Sequence, residues 1–110
     1  MLTLEFSRRL KDQRIAVNAA WPGIVNTEGM RAMPGGMKWF SLFMRPFMKK
    51  PADGAKTPLW LAASSETEGV TGKAFGSFRG EGKDELKLPA VVTDAANQRR
   101  MYEACERLTN

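Results

Sequence analysis

The sequence predicts an α/β fold in which two short parallel strands are joined by crossover helices and followed by a C-terminal helix. Three observations carry this reading. The apolar run from Arg14 to Trp21 is stopped by Pro22-Gly23 and has the character of a strand buried on both faces, as in parallel sheets. A second short run, from Lys73 to Phe78, reads as another strand, and the helical patterns between the two runs supply the long crossover that a parallel pair needs. Finally, Thr93 or Asp94 can cap a last helix that sets Met101, Cys105 and Leu108 on one stripe.

The elements follow in order. Leu2, Phe6 and Leu10 recur every four residues, so a helix is expected to about Lys11, with Arg8, Arg9 and Lys11 near the end of the dipole that favours cations. No Ser, Thr, Asp or Asn precedes Leu2 as a cap, so this helix reads as the second part of a longer one. From Met37 to Lys50, Trp39, Phe40, Phe43, Met44, Phe47 and Met48 lie between basic ends, which predicts one or two short amphipathic helices divided at Pro46. Pro51 suits the first turn of the next helix and Asp53 complements its positive end. That helix is expected to reach about Ala63, with a bend at Pro58 that Gly54 eases. Ser64 to Gly72 should be a polar loop, and the charge-rich stretch from Gly80 to Leu88 exposed and irregular.

Composition narrows the function classes. A chain of 110 residues, 43% hydrophobic and 26% charged, is expected to hold one domain. Its one cysteine, Cys105, excludes an intrachain disulfide and fits the reducing cytoplasm. No apolar run approaches the ~20 residues of a spanning helix, and the opening MLTLEFSRRL lacks the apolar stretch of a signal peptide. Lys83-Asp84-Glu85-Leu86 spells a retrieval signal that is read only at a C-terminus, whereas this chain continues to Asn110. The formal charge of +5 is spread over Arg8-Arg9, Lys49-Lys50 and Arg99-Arg100, each beside apolar residues at helical spacing. Solvated helix faces account for that pattern, and no nucleic-acid surface is read from it.

Three blocks carry a family resemblance. Arg8 to Glu28, RRLKDQRIAVNAAWPGIVNTE, has a helix ending in a basic cluster, a strand of the type I-x-V-N, and an opening into P-G-x-V-x-T; Asn18, Pro22, Gly23, Val25 and Thr27 fall on that pattern. Pro51 to Ala62 and Glu68 to Phe75 follow in the same order as the next helix and the last strand. The set resembles the short-chain dehydrogenase/reductases, nearest in flavour to retinol-dehydrogenase-like and carbonyl-reductase-like members.

The resemblance implies the C-terminal part of a Rossmann-like doubly wound fold, a single partial domain over 1–110. Within it, 1–12 would be the end of the catalytic helix, 14–29 a strand and cofactor loop, and 30–50 a substrate lid. Residues 51–78 would form a helix and the last strand, and 79–110 a tail and C-terminal helix. It implies NAD(P) as cofactor, with Pro22 and Gly23 letting the backbone approach the nicotinamide. The backbone of Val25 and the hydroxyl of Thr27 would bond the carboxamide or a neighbouring phosphate, and the rival reading of these residues is a plain strand-ending turn. In the family the 30–50 segment covers a lipophilic alcohol or carbonyl substrate. Two other readings of its aromatics stand beside that one: ordinary core packing, and a helix resting on a membrane surface through Lys38, Lys49 and Lys50.

The family's glycine-rich nucleotide motif, catalytic serine and Tyr-x-x-x-Lys pair do not occur in these residues. Tyr102 is the one tyrosine and has Glu106, not lysine, four residues on; histidine is absent. Cys105 reads as a small buried apolar residue, and Asp84 and Glu85 as exposed neighbours without a pocket to perturb them. No catalytic residue and no metal ligand set is therefore assigned. The expected function is a truncated family member, ancestrally an NAD(P)-dependent oxidoreductase and inactive alone, with a non-catalytic interaction module as the alternative. Self-association is expected from uncovered sheet edge and helix faces.

Overall fold

The computed structural model describes residues 1–32, 35–78 and 80–109; the side chains of Met30, Arg31, Met37, Lys38 and Ser41 lie outside the described part. Helix α1, Leu2–Arg9, ends at the basic pair Arg8-Arg9, short of the expected Lys11, and a 3-10 turn, Lys11–Gln13, follows it. Arg14 then takes a left-handed φ of 57°, which turns the chain toward the sheet.

Strand β1 covers only Ala19–Trp21, a part of the predicted 14–21 run, and pairs in parallel with β2, Ala74–Gly76. The register is Ala19 opposite Ala74, Ala20 opposite Phe75 and Trp21 opposite Gly76. The ladder is short because residues upstream of Ala19 bond to the loop before β2 partly through side chains. The Val17 N–H donates to Thr71 Oγ1 at 3.0 Å, and the Asn18 amide donates to Val70 O at 2.7 Å while its oxygen accepts from Lys73 N–H at 3.1 Å. Burial on both faces does not hold either: Ile15 is 46% exposed and Trp21 43% exposed.

The far edge of β2 is occupied by a segment that the sequence reads as irregular. The Gly76 N–H donates to Asp84 O at 2.9 Å and the Leu86 N–H to Ala74 O at 2.8 Å, an antiparallel bridge of Phe75 with Glu85. Order along this edge reflects backbone groups seeking partners, which a charged sequence does not prevent. The other edge of β1 meets no strand among the described residues.

Between the strands lie α2, Glu28–Arg31, and α3, Gly36–Met44, followed by a 3-10 turn over Arg45–Phe47 that contains Pro46 at the predicted division. The expected single helix from Pro51 is two: α4, Pro51–Gly54, and α5, Lys56–Ala63, with the break at Ala55. That break places Pro58 in the first turn of α5, where its missing N–H would have no helical partner, so the chain divides rather than bends.

Helix α6, Ala90–Thr93, precedes α7, Ala95–Thr109. Asp94 caps α7, its Oδ1 accepting from Ala96 N–H at 3.0 Å. Helix α7 packs on α1 through Gln98 and Tyr102 and not through the predicted stripe: Met101 is 45% and Leu108 87% exposed, with Cys105 half-buried. The reason is electrostatic. Glu5 is buried and pairs with Arg8 and Arg9; Arg8 also donates to Gln98 Oε1 at 2.9 Å, and the Arg9 guanidinium lies 3.7 Å from the Tyr102 ring centroid. Phe6 completes the contact edge-on to Tyr102 at 5.5 Å.

Among the described apolar residues only Ala74 and Phe75 are buried, with Phe75 edge-on to Trp60 at 5.3 Å. The accessible surface is 8133 Å², against roughly 6,100 Å² for a compact monomer of this mass. The radius of gyration is 16.8 Å, against about 13 Å for a compact chain of this length. Part of the exposed surface is aromatic: Trp39 and Phe43 are each about three-quarters exposed, so these two rings do not serve as core packing within this chain.

Candidate functional site

Pro22 ends β1, since it has no N–H to extend the ladder, and the chain leaves the carboxyl end of the parallel pair through Gly23. Gly23 has φ +79°, and a Cβ there would lie 3.0 Å from Ser77 O and 3.6 Å from Lys49 Nζ. Glycine is required here by the chain's own backbone. The expected reason, close approach to a bound ring, is a separate demand on the same residue.

Val25 forms an isolated parallel bridge with Lys49. The bridge bonds run through its neighbours, Lys49 N–H donating to Ile24 O at 2.9 Å and Asn26 N–H to Lys49 O at 3.0 Å, so the Val25 amide is not consumed by them. The Val25 side chain sits on Gly54 so closely that a Cβ there would fall 2.7 Å from Cγ2, which explains the glycine in α4. Thr27 is the exposed residue preceding α2, and its hydroxyl makes no capping bond. The four positions Pro22, Gly23, Val25 and Thr27 thus lie on one short loop at the carboxyl end of the sheet, where ligands of open α/β sheets bind. The Val25 N–H, outside the bridge to Lys49, and the Thr27 hydroxyl, which makes no capping bond, are donors of the kind a carboxamide or phosphate accepts from, the chemistry that the nicotinamide side of NAD(P) requires.

Beside the loop is a cleft of about 330 Å³ lined by residues including Pro46, Phe47, Lys49, Asp53 and Phe78. The Lys56 ammonium, 2.8 Å from Asp53, holds that carboxyl below its usual range and is itself raised by the pairing. Asp53 is therefore an engaged carboxylate and a poor proton donor.

The other candidates are dispersed. A hydrogen bond with Glu106 pushes the Tyr102 phenol upward, the reverse of what a tyrosine base needs, and the ring is held between Phe6 and Arg9 in the α1–α7 contact. Glu85 pairs with Lys73 at 2.6 Å, and the Asp84 carbonyl belongs to the sheet edge. Among the described residues there is no group of three or more potential metal ligands. No helix among them is long and apolar enough to cross a membrane. The sequence reading missed Lys49 as a part of the site: its Nζ donates to Ser77 O at 2.7 Å. That bond also weakens the membrane-face reading, because the Lys49 ammonium is engaged by a backbone carbonyl.

The chain is 37% identical to human retinol dehydrogenase 14 over 109 residues, which cover 96% of this chain and 31% of the relative. It is 37% identical over 106 residues to mouse retinol dehydrogenase 13, covering 87% of this chain and 32% of the relative. Human dehydrogenase/reductase SDR family member 13 is 30% identical over 109 residues, 94% of this chain and 27% of the relative. The chain thus spans about a third of the length of the curated relatives it matches. No family model matches it, and no solved structure matches it significantly.

Proposed function

Because this chain belongs to the short-chain dehydrogenase/reductase family, we propose that it carries the nicotinamide side of an NAD(P)-dependent oxidoreductase acting on a lipophilic alcohol or carbonyl compound. The observation that carries the reading is the loop from Pro22 to Thr27 at the carboxyl end of the parallel pair, with an uncapped Thr27 hydroxyl and the Val25 amide outside the bridge. NAD(P), when bound, supplies the hydride acceptor or donor. This chain's residues would bind and orient: Val25 N–H and Thr27 Oγ1 would hold the carboxamide or an adjacent phosphate. The 30–50 segment, with Phe47 lining the cleft, would exclude water from the substrate.

The 110 residues contain no Tyr-x-x-x-Lys pair and no glycine-rich nucleotide turn, so the chain by itself should not transfer hydride. Saturation transfer from the chain to the nicotinamide ring protons of nicotinamide mononucleotide at millimolar concentration tests the loop. A signal that Thr27→Ala removes supports the reading; no signal, or one that the substitution leaves unchanged, refutes it.

A second reading is favoured by the excess exposed surface and the bare edge of β1: the chain pairs with another polypeptide or with itself. A third, resting on a membrane surface through Lys38, Lys49 and Lys50, is weakened because the Lys49 ammonium is engaged by Ser77 O.

A further inference from the structure

Three segments far apart in sequence meet at one side chain. Lys49 closes the parallel bridge to the loop through its backbone, accepting from Asn26 and donating to Ile24. Its ammonium reaches across to Ser77 O, the residue after β2, at 2.7 Å, passing beside Gly23. Lys49 therefore ties the loop, the end of the 30–50 segment and the carboxyl end of β2 to one another. A bond from a charged donor to a backbone carbonyl is stronger than a neutral one, and here it is half-buried.

We propose that Lys49 is a positioning residue: it holds the loop bearing Pro22, Gly23, Val25 and Thr27 in its ligand-receiving shape by tying it to the carboxyl end of β2. The cofactor part of this proposal rests on the reading given under Proposed function; the clamp itself does not.

The experiment compares the full 110-residue chain with Lys49→Met, Lys49→Arg and, as a control on charge alone, Lys50→Met. Hydrogen exchange followed by mass spectrometry reads the amides of residues 22–28 against those of α1 and α7. The clamp requires at least tenfold faster exchange over 22–28 in Lys49→Met, exchange near the original rate in Lys49→Arg and Lys50→Met, and no change in α1 or α7. Equal loop protection in Lys49→Met and the original chain overturns it, and so does faster exchange everywhere, which would mean general unfolding. Saturation transfer to nicotinamide mononucleotide is the second readout. Loss of the signal in Lys49→Met with recovery in Lys49→Arg supports positioning of a ligand loop; a signal unchanged in Lys49→Met overturns that part. If the original chain gives no signal but the exchange pattern holds, the cofactor reading falls and the clamp stands.

Discussion

Phe75 should carry more stability than any other side chain of this protein. The residue is 7% exposed, and among the described apolar residues only Ala74 is also buried. Phe to Ala in a core costs about 3–5 kcal/mol, the larger values arising where neighbours cannot close the cavity. Here the ring meets Trp60 edge-on at 5.3 Å, a geometry worth about 0.5–1.5 kcal/mol of that total, and the backbone of β2 is held on both edges. The site cannot collapse easily, so Phe75→Ala should lie in the upper half, ~4–5 kcal/mol. That is close to the whole stability of a marginal domain of this size. The contrast is Leu59→Ala on α5, where the side chain is 66% exposed and the change should stay within about 0.5 kcal/mol. Urea unfolding followed by tryptophan fluorescence measures both. If the transition is broad, hydrogen exchange at Gly76 and Leu86, whose amides bond across the β2 edge, gives the same comparison. A loss below about 1 kcal/mol for Phe75→Ala, or one equal to that of Leu59→Ala, would refute the assignment of the core.

The Glu5 carboxyl lies below its ordinary value near 4.5, chiefly through its hydrogen bond with Arg9 and then the nearby Arg8 charge. A depressed folded pKa contributes stability above the unfolded value and loses it as pH falls through the depressed one, so α1–α7 packing should loosen on acidification below about pH 4. Tyr102 fluorescence against pH reads this, and Glu5→Gln should flatten the curve; an acid-insensitive original chain would contradict it. Calorimetric titration of the 110-residue chain with NAD(P) should show no micromolar binding, since no glycine-rich turn is present to receive the pyrophosphate, and a binding free energy near −8 kcal/mol would overturn this. Finally, the uncovered aromatics of α3 and the bare edge of β1 should make the purified chain self-associate or bind an apolar dye, whereas a sedimenting monomer with a sharp thermal transition would refute that.

The amino-acid sequence alone determined the order of elements, because their signals are local. Pro22 ends a strand, Pro46 divides an aromatic helix, Pro51 opens the next and Asp94 caps the last through bonds within a few residues of chain. The order of its motifs also carried the family, since P-G-x-V-x-T followed by the Pro51 and Glu68 blocks is legible without coordinates. Tertiary structure decided everything that depends on a partner distant in sequence. The length of β1 is set by where β2 stops and by Asn18 bonding the loop before it, and the 84–86 segment became a sheet edge because β2 had backbone groups to satisfy. The face that α7 buries was chosen by Glu5, Arg8 and Arg9 on α1, so polar Gln98 lies inside while Leu108, on the apolar stripe, faces water. Periodicity measures which residues favour burial, but only the neighbouring element decides which face is covered. For the same reason the sequence groups Lys49 with Lys50 as a solvated cation, whereas its ammonium ends on a carbonyl 28 residues away.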